Sequence, residues 1–160
     1  MNMSFLLMLT TIMAGTLVAC APPTHDYIHD AVFKPAPPPN QELLGEWRLS
    51  SGNRLKGIPG DITLAIRKTS PLDYASVTVT GFSGINDYDS HAVIDASQRR
   101  FIFSSEIGKT QNWGPLPRQD FEQAYLDALD GVVSYQLASA NQLTLLTLKG
   151  ETLQFNKVAD

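Results

Sequence analysis

One cysteine in 160 residues rules out an internal disulfide, so the fold must be held by packing and hydrogen bonds alone. Residues 1–19 contain no Asp, Glu, Lys, Arg or His, and the only positive charge there is the amino group of Met1. The chain has no basic excess: its formal net charge is −4, which leaves no electrostatic footprint for nucleic acid. No Lys/Arg cluster marks a peripheral membrane surface either. The sequence lacks a Gly-x-x-x-x-Gly-Lys-Ser/Thr phosphate loop and a Cys/His zinc set. The stretch GFSGI is not a nucleophile elbow, because Ile85 stands where that motif needs glycine. The expectation is a protein without catalytic machinery, resident metal or cofactor.

What is present begins with an apolar run, FLLMLTTIM from Phe5 to Met13, followed by the small residues Ala14 and Gly15. It is too short for a permanent transmembrane helix and has the form of a signal-peptide core. Leu17, Val18, Ala19 and Cys20 stand at the expected cleavage site and resemble the lipobox of bacterial lipoproteins. That resemblance implies removal of residues 1–19 and a diacylglyceryl thioether on Cys20, the one covalent lipid expected in place of a cofactor. Each buried CH2 contributes about 0.8 kcal/mol, so two or three acyl chains hold a protein stably on a bilayer. A cysteine inside an ordinary discarded leader is the alternative. Ala21, a residue other than Asp after the cysteine, implies the periplasmic face of the outer membrane.

Residues 20–40 read as the acylated cysteine and a tether. Six prolines between Pro22 and Pro39 oppose regular hydrogen-bonded structure and favour an extended, semi-rigid spacer. Within it, HDYIHD sets His25 and His29 four apart, a metal pair on a helix but a solvated stretch in a proline-flanked linker. Residues 41–160 are enough for one core. There, alternation dominates: Ile62, Leu64 and Ile66; Val77 and Val79; Phe101 and Phe103; Val133, Tyr135 and Leu137; Leu143 and Leu145; Leu153 and Phe155. The fold class is mainly β (α+β), an antiparallel sheet or an open, cracked β-barrel. One amphipathic helix is predicted in RQDFEQAYLDALDG, with Phe121, Ala124, Tyr125, Ala128 and Leu129 on its apolar face. Asp120 is its predicted N-cap, Pro115 and Pro117 bar helix upstream, and Gly131 is placed in a left-handed C-terminal position.

Three stretches in order resemble the META domain, the HslJ-like family of bacterial envelope proteins: LLGEWRLSS (Leu43 to Ser51), VTGFSGINDYDS (Val79 to Ser90) and IGKTQNWGPLPRQDFEQAYLDALDGVVSY (Ile107 to Tyr135). The second matches the family's Val-x-Gly-x-Ser-Gly-Cys-Asn-x-Tyr-x-Gly. The third matches its Thr-x-Met-Ala-Cys or Thr-x-Met-Ala-Gly-Pro, followed by a helix bearing a Glu, here Glu122. Where many members carry cysteines, this chain has Ile85 in the turn and no Cys after Thr110. The joint loss suggests that apolar packing, involving Ile85 and Trp113, replaces a bridge between turn and loop. Ser90 stands where the family has a second turn glycine.

Gly81 and Gly84 are explained by turn geometry or close backbone approach. If the turn contacts a ligand, Ser83, Asn86 and Tyr88 are the residues that face it. Trp113 is expected to lie as a lid on the core, with an exposed anchor as the alternative. Asp87, Asp89 and His91 lack the Gly and distal Glu of a calcium loop. The resemblance implies a non-enzymatic, lipid-anchored envelope protein in stress tolerance or maintenance, with an envelope protein or acyl-chain ligand as partner. The alternative is a secretin-pilot-like or lipid-binding lipoprotein whose groove would be lined by Phe101, Phe103, Leu145 and Phe155.

Overall fold

The computed structural model describes residues 41–159; the leader, Cys20, the proline-rich tether and the His25/His29 pair lie outside the described residues. A 3-10 turn, Gln41–Leu43, leads into β1 (Gly45–Gly52), β2 (Thr63–Ser70), β3 (Asp73–Phe82), β4 (Asp87–Asp95), β5 (Arg100–Phe103) and the two-residue β6 (Gly108–Lys109). The helix α1 (Leu116–Asp130) follows, then β7 (Val132–Ser139), β8 (Gln142–Thr147) and β9 (Thr152–Lys157).

Eight of these strands pair antiparallel in the order β3-β2-β1-β9-β8-β7-β5-β4, and β4 returns to β3, so the ring closes as a barrel. The short β6 pairs with β4 beyond the end of β5. The period of two in the sequence is the cause: Leu64 and Ile66, Val77 and Val79, Leu143 and Leu145, and Leu153 and Phe155 all point inward and are buried. A closed ring also leaves no long free edge. The thinnest seam is β5 to β7, where Arg100 opposite Ser134 is the one ladder pair. In β7 the register shifts between Val132 and Ser134, so Val132 is buried and Val133, predicted inward, is only half-buried.

The interior is filled. Trp47 is fully buried and donates its indole N–H to Leu43 O at 2.9 Å, which fixes the 3-10 turn to β1. Phe101, Leu145 and Phe155 lie in the same core, and Phe103 is half-buried against it. These four therefore pack the barrel and do not line an apolar groove. Burying each such side chain contributes about 1.5–3 kcal/mol.

The helix closes one end of the barrel with Phe121, Tyr125, Leu126, Ala128 and Leu129. Its bounds differ from the sequence expectation. It starts at Leu116, with Pro115 at the N-cap and Pro117 inside the first turn, not at Asp120. Proline is tolerated there because the first-turn N–H groups have no intrahelical acceptor and φ near −65° suits the helix. At the other end Gly131 has φ −78°, so the helix ends without a left-handed residue; the Gly131 N–H closes on Asp127 O at 3.3 Å. Ala124, assigned to the apolar face, is exposed, and Glu122 is buried in its stead.

Candidate functional site

Just before the turn between β3 and β4, Gly81 makes a close approach to β2 and to Tyr88 of β4. A Cβ on Gly81 would sit 2.1 Å from Thr63 O and 2.5 Å from the Tyr88 hydroxyl, so no side chain fits. The Tyr88 hydroxyl donates to Thr63 O at 2.8 Å and lies 2.8 Å from the Tyr125 hydroxyl, which therefore donates to it. Burial pushes both phenols above their ordinary value. Three residues on, Gly84 takes φ +105°, a left-handed conformation that glycine adopts at low cost.

This turn delivers Ser83 and Asn86 to Glu122 on the first turns of α1. Glu122 is 3% exposed, and its carboxylate is surrounded by donors. The Asn86 backbone N–H donates at 3.0 Å and its side-chain amide at 2.8 Å. The Lys109 ammonium, from β6, stands 3.1 Å from Oε2. The Ser83 hydroxyl is in short contact with Oε1 and also lies 2.7 Å from Asn86 O. Burial on its own raises the carboxyl pKa; the hydrogen bonds from Ser83, Asn86 and Lys109 outweigh it and hold Glu122 below its ordinary value.

Asn86 extends the network to the loop before the helix. Its side-chain oxygen accepts from the Thr110 hydroxyl at 2.8 Å and from the Asn112 backbone N–H at 2.7 Å. Arg118 donates to Gly84 O at 3.1 Å, and Gln119 donates to Gly114 O at 2.5 Å. Three segments distant in sequence are thus clasped by one buried carboxylate and one buried amide. Among the described residues no buried side-chain polar atom lacks a partner, as a low-dielectric network requires.

Beside these bonds runs one apolar contact. A Cβ on Gly114 would lie 2.6 Å from Ile85 Cδ1, so the Ile85 side chain rests directly on Gly114. Packing between turn and loop is therefore present, as the missing cysteines suggested, but Trp113 takes no part in it. Trp113 is 89% exposed, not a lid on the core. Ser83, Asn86 and Tyr88 are equally displaced from expectation: at 0–2% exposure they face each other, Glu122 and Tyr125, and no ligand in solvent. Ser90 lies within β4 and not in a turn; its hydroxyl is 2.9 Å from Ser105 O. Asp87, Asp89 and His91 alternate on the exposed side of β4.

The reading from sequence left Glu122, Lys109 and Asn112 out of the site. A signal for Glu122 existed. It falls in helical register with Tyr125, Leu126 and Leu129, so a charge was placed on a buried face and required buried partners.

Two clefts border this region. One, of about 420 Å³, lies outside the clasp between the 109–113 loop and α1. Another, of about 740 Å³, runs along the outer wall over β1 to β4 and β6 past Glu46, Arg67, Asp87 and Lys109. A third, of about 680 Å³, lies at the other end of α1, near the thin seam and the turn carrying the 83% exposed Leu148. As chemistry, the clasp offers no activated nucleophile: the Ser83 hydroxyl is buried against a carboxylate and a carbonyl, with no imidazole beside it.

A closed antiparallel barrel capped by one helix, with a polar clasp at the cap, places the chain among small β-barrel modules. The sequence model of the META domain matches residues 41–160, and the chain belongs to that family. An NMR structure of a protein from Burkholderia xenovorans is similar at 25% identity and a TM-score of 0.58, over 86% of this chain and 99% of that one. A crystal structure of a DUF4847 family protein from Bacteroides vulgatus shares the fold at 15% identity and a TM-score of 0.50, over 72% of this chain and 94% of that one. No curated protein matches the chain.

Proposed function

We propose that this META-domain protein is a non-enzymatic envelope lipoprotein, tethered through lipid on Cys20 to the periplasmic face of the outer membrane and serving stress tolerance or maintenance by binding. The observation that carries the anchoring is Leu17-Val18-Ala19-Cys20 at the end of an uncharged apolar leader, with the chain's one thiol at the cleavage point. A proline-rich spacer before residue 41 fits a domain displayed away from a bilayer. The non-enzymatic reading draws support from Ser83, whose hydroxyl is fully buried and committed to internal partners. Cys20→Ser tests the anchor: the variant should move from the membrane fraction to the soluble periplasm and lose labelled fatty acid. A variant that remains membrane-bound and labelled refutes it.

A pilot-like capture of an apolar partner helix is the second reading, favoured by Leu148, 83% exposed on the cleft beside the C-terminal end of α1, with Ile102 of β5 lining it. Leu148→Glu should abolish capture of such a partner without altering membrane attachment.

A further inference from the structure

We propose that the cleft between the 109–113 loop and α1 is a saccharide-binding site, with Trp113 as the platform on which one sugar ring stacks. Single exposed apolar side chains are ordinary on protein surfaces, so exposure alone says little. What distinguishes Trp113 is how it is held and what surrounds it. The backbone on one side is fixed by the Asn112 N–H donating to Asn86 at 2.7 Å, and on the other by Gly114 O accepting from Gln119 at 2.5 Å. Asn86 is itself locked to the buried Glu122. A large aromatic is thus presented to solvent from a backbone pinned on both sides, the preorganisation that lowers the entropic cost of binding.

The cleft beside it holds about 420 Å³, and its ten lining residues include Gln111, Asn112, Trp113, Gln119 and Gln123. That volume lies within the range of small-ligand sites, about 300–1,000 Å³. Four of these residues, Gln111, Asn112, Gln119 and Gln123, carry a carboxamide, whereas the Asn86 amide in the cleft wall is spent on Glu122, Thr110 and Asn112. A carboxamide both donates and accepts, and so does a sugar hydroxyl or acetamido group. Gln119 and Gln123 each commit one amide hydrogen, to Gly114 O and to Asp127 Oδ1, which leaves a second hydrogen and a carbonyl oxygen on each. The face of a sugar ring presents C–H groups that suit the electron-rich face of an indole. Charge narrows the class further: the lining has one ammonium, Lys109, which is paired, against the carboxylates of Asp120 and Glu122. Such a lining disfavours phosphates and polyanions and favours neutral glycans. A protein partner is less well matched, because the cleft lining beside Trp113 is made mostly of amides and carboxylates, and the exposed Leu116 of α1 is not part of it.

The inference deepens the binding role proposed above and rests on it only for the source of the glycan. It is tested without the membrane. The chain has two tryptophans, one buried at position 47 and one exposed at 113, so an indole response to ligand is assignable. Full-length protein is titrated with a tetramer of N-acetylglucosamine and with maltotetraose, following tryptophan emission and its quenching by acrylamide. Saturable protection from acrylamide by either sugar is the expected result; in isothermal titration calorimetry, which needs no indole at position 113, Trp113→Ala weakens binding by at least about tenfold and Gln123→Ala by several-fold. Equal affinity in Trp113→Ala, or no saturation with either sugar up to about 10 mM, overturns the proposal. So does protection by a soluble envelope protein fraction when neither sugar protects. Cys20→Ser fractionation reads the anchor separately, so failure here leaves the envelope placement standing or falling by itself.

Discussion

The contact between Ile85 and Gly114 permits a covalent test of the clasp. With both positions changed to cysteine in a Cys20→Ser background, the new sulfur at position 85 takes the place of an Ile85 γ-carbon. A Cβ at position 114 would lie 2.9 Å from Ile85 Cγ1 and 3.4 Å from Cγ2. In a disulfide each Cβ lies about 3 Å from the partner cysteine's sulfur, given an S–S bond of about 2.05 Å, so a sulfur at the Cγ1 position is in bonding reach of position 114. The Ile85 Cδ1 atom, which a lone Cβ at 114 would meet at 2.6 Å, is removed by the same change. Closing a loop of roughly 30 residues lowers the entropy of the unfolded chain by an amount equivalent to about 3–4 kcal/mol. Loss of the Ile85 methyl groups offsets about 1 kcal/mol. Relative to its own reduced form, the oxidised variant should melt about 12–16 °C higher, taking roughly 4 °C per kcal/mol for a domain of this size. Relative to the parent the gain should be about 2–3 kcal/mol. Thiol titration after air oxidation reports the bond, and melts with and without reductant report the gain. Two thiols that remain free, or an oxidised form that melts below the reduced one, would show that turn and loop are not seated as described.

The remaining predictions address the other parts of the site. Glu122→Gln turns an amide NH2 toward the Asn86 amide and the Lys109 ammonium, both donors, and should cost about 2–4 kcal/mol in urea unfolding. Because Glu122 is depressed below its ordinary value when folded, the unfolded chain binds its proton more readily. Its contribution is therefore complete above about pH 4.5 and is lost as pH falls through the folded value. Urea midpoints between pH 5 and pH 3 should fall more steeply in the parent than in Glu122→Gln. Gly81→Ala forces a Cβ to 2.1 Å from Thr63 O and should cost more than about 3 kcal/mol, read as loss of soluble protein or of the folded near-ultraviolet signal. Trp113→Ala, at an exposed position, should leave the midpoint within about 0.5 kcal/mol of the parent.

Much of the barrel was legible because a period of two constrains which face a strand buries. Ile62, Leu64, Ile66, Val77, Val79, Leu143, Leu145, Leu153 and Phe155 are buried as the alternation requires. The helix was legible as an element but not at its edges. Prolines usually signal a break, yet in a first turn they remove donors that have no acceptor. The site was the least readable part. Ser83, Asn86 and Tyr88 were identifiable as turn residues, but polar residues in a turn normally face water. Their burial follows from the helix arriving over the turn, a tertiary event that spacing cannot encode. Trp113 failed in the opposite sense: large aromatics are usually buried, and here its backbone neighbours are hydrogen-bonded into the clasp while its ring is left outside.

The clasp and the cleft share a wall, and that decides how their roles can be separated. Asn86 and Glu122 fix the loop from beneath, whereas Trp113 and Gln111 of the loop and Gln123 of α1 are exposed to solvent. A change below the wall should therefore disturb both stability and any binding, because the platform loses its support. A change above it should disturb binding alone. Glu122→Gln and Trp113→Ala form the informative pair. If sugar affinity falls in Trp113→Ala at unchanged stability, and falls in Glu122→Gln in proportion to lost rigidity of the 109–113 loop, the buried carboxylate acts as a positioning residue. If Glu122→Gln instead destabilises the fold while affinity per folded molecule stays at the parent value, the carboxylate serves the barrel cap only, and the platform owes its geometry to the Ile85–Gly114 contact.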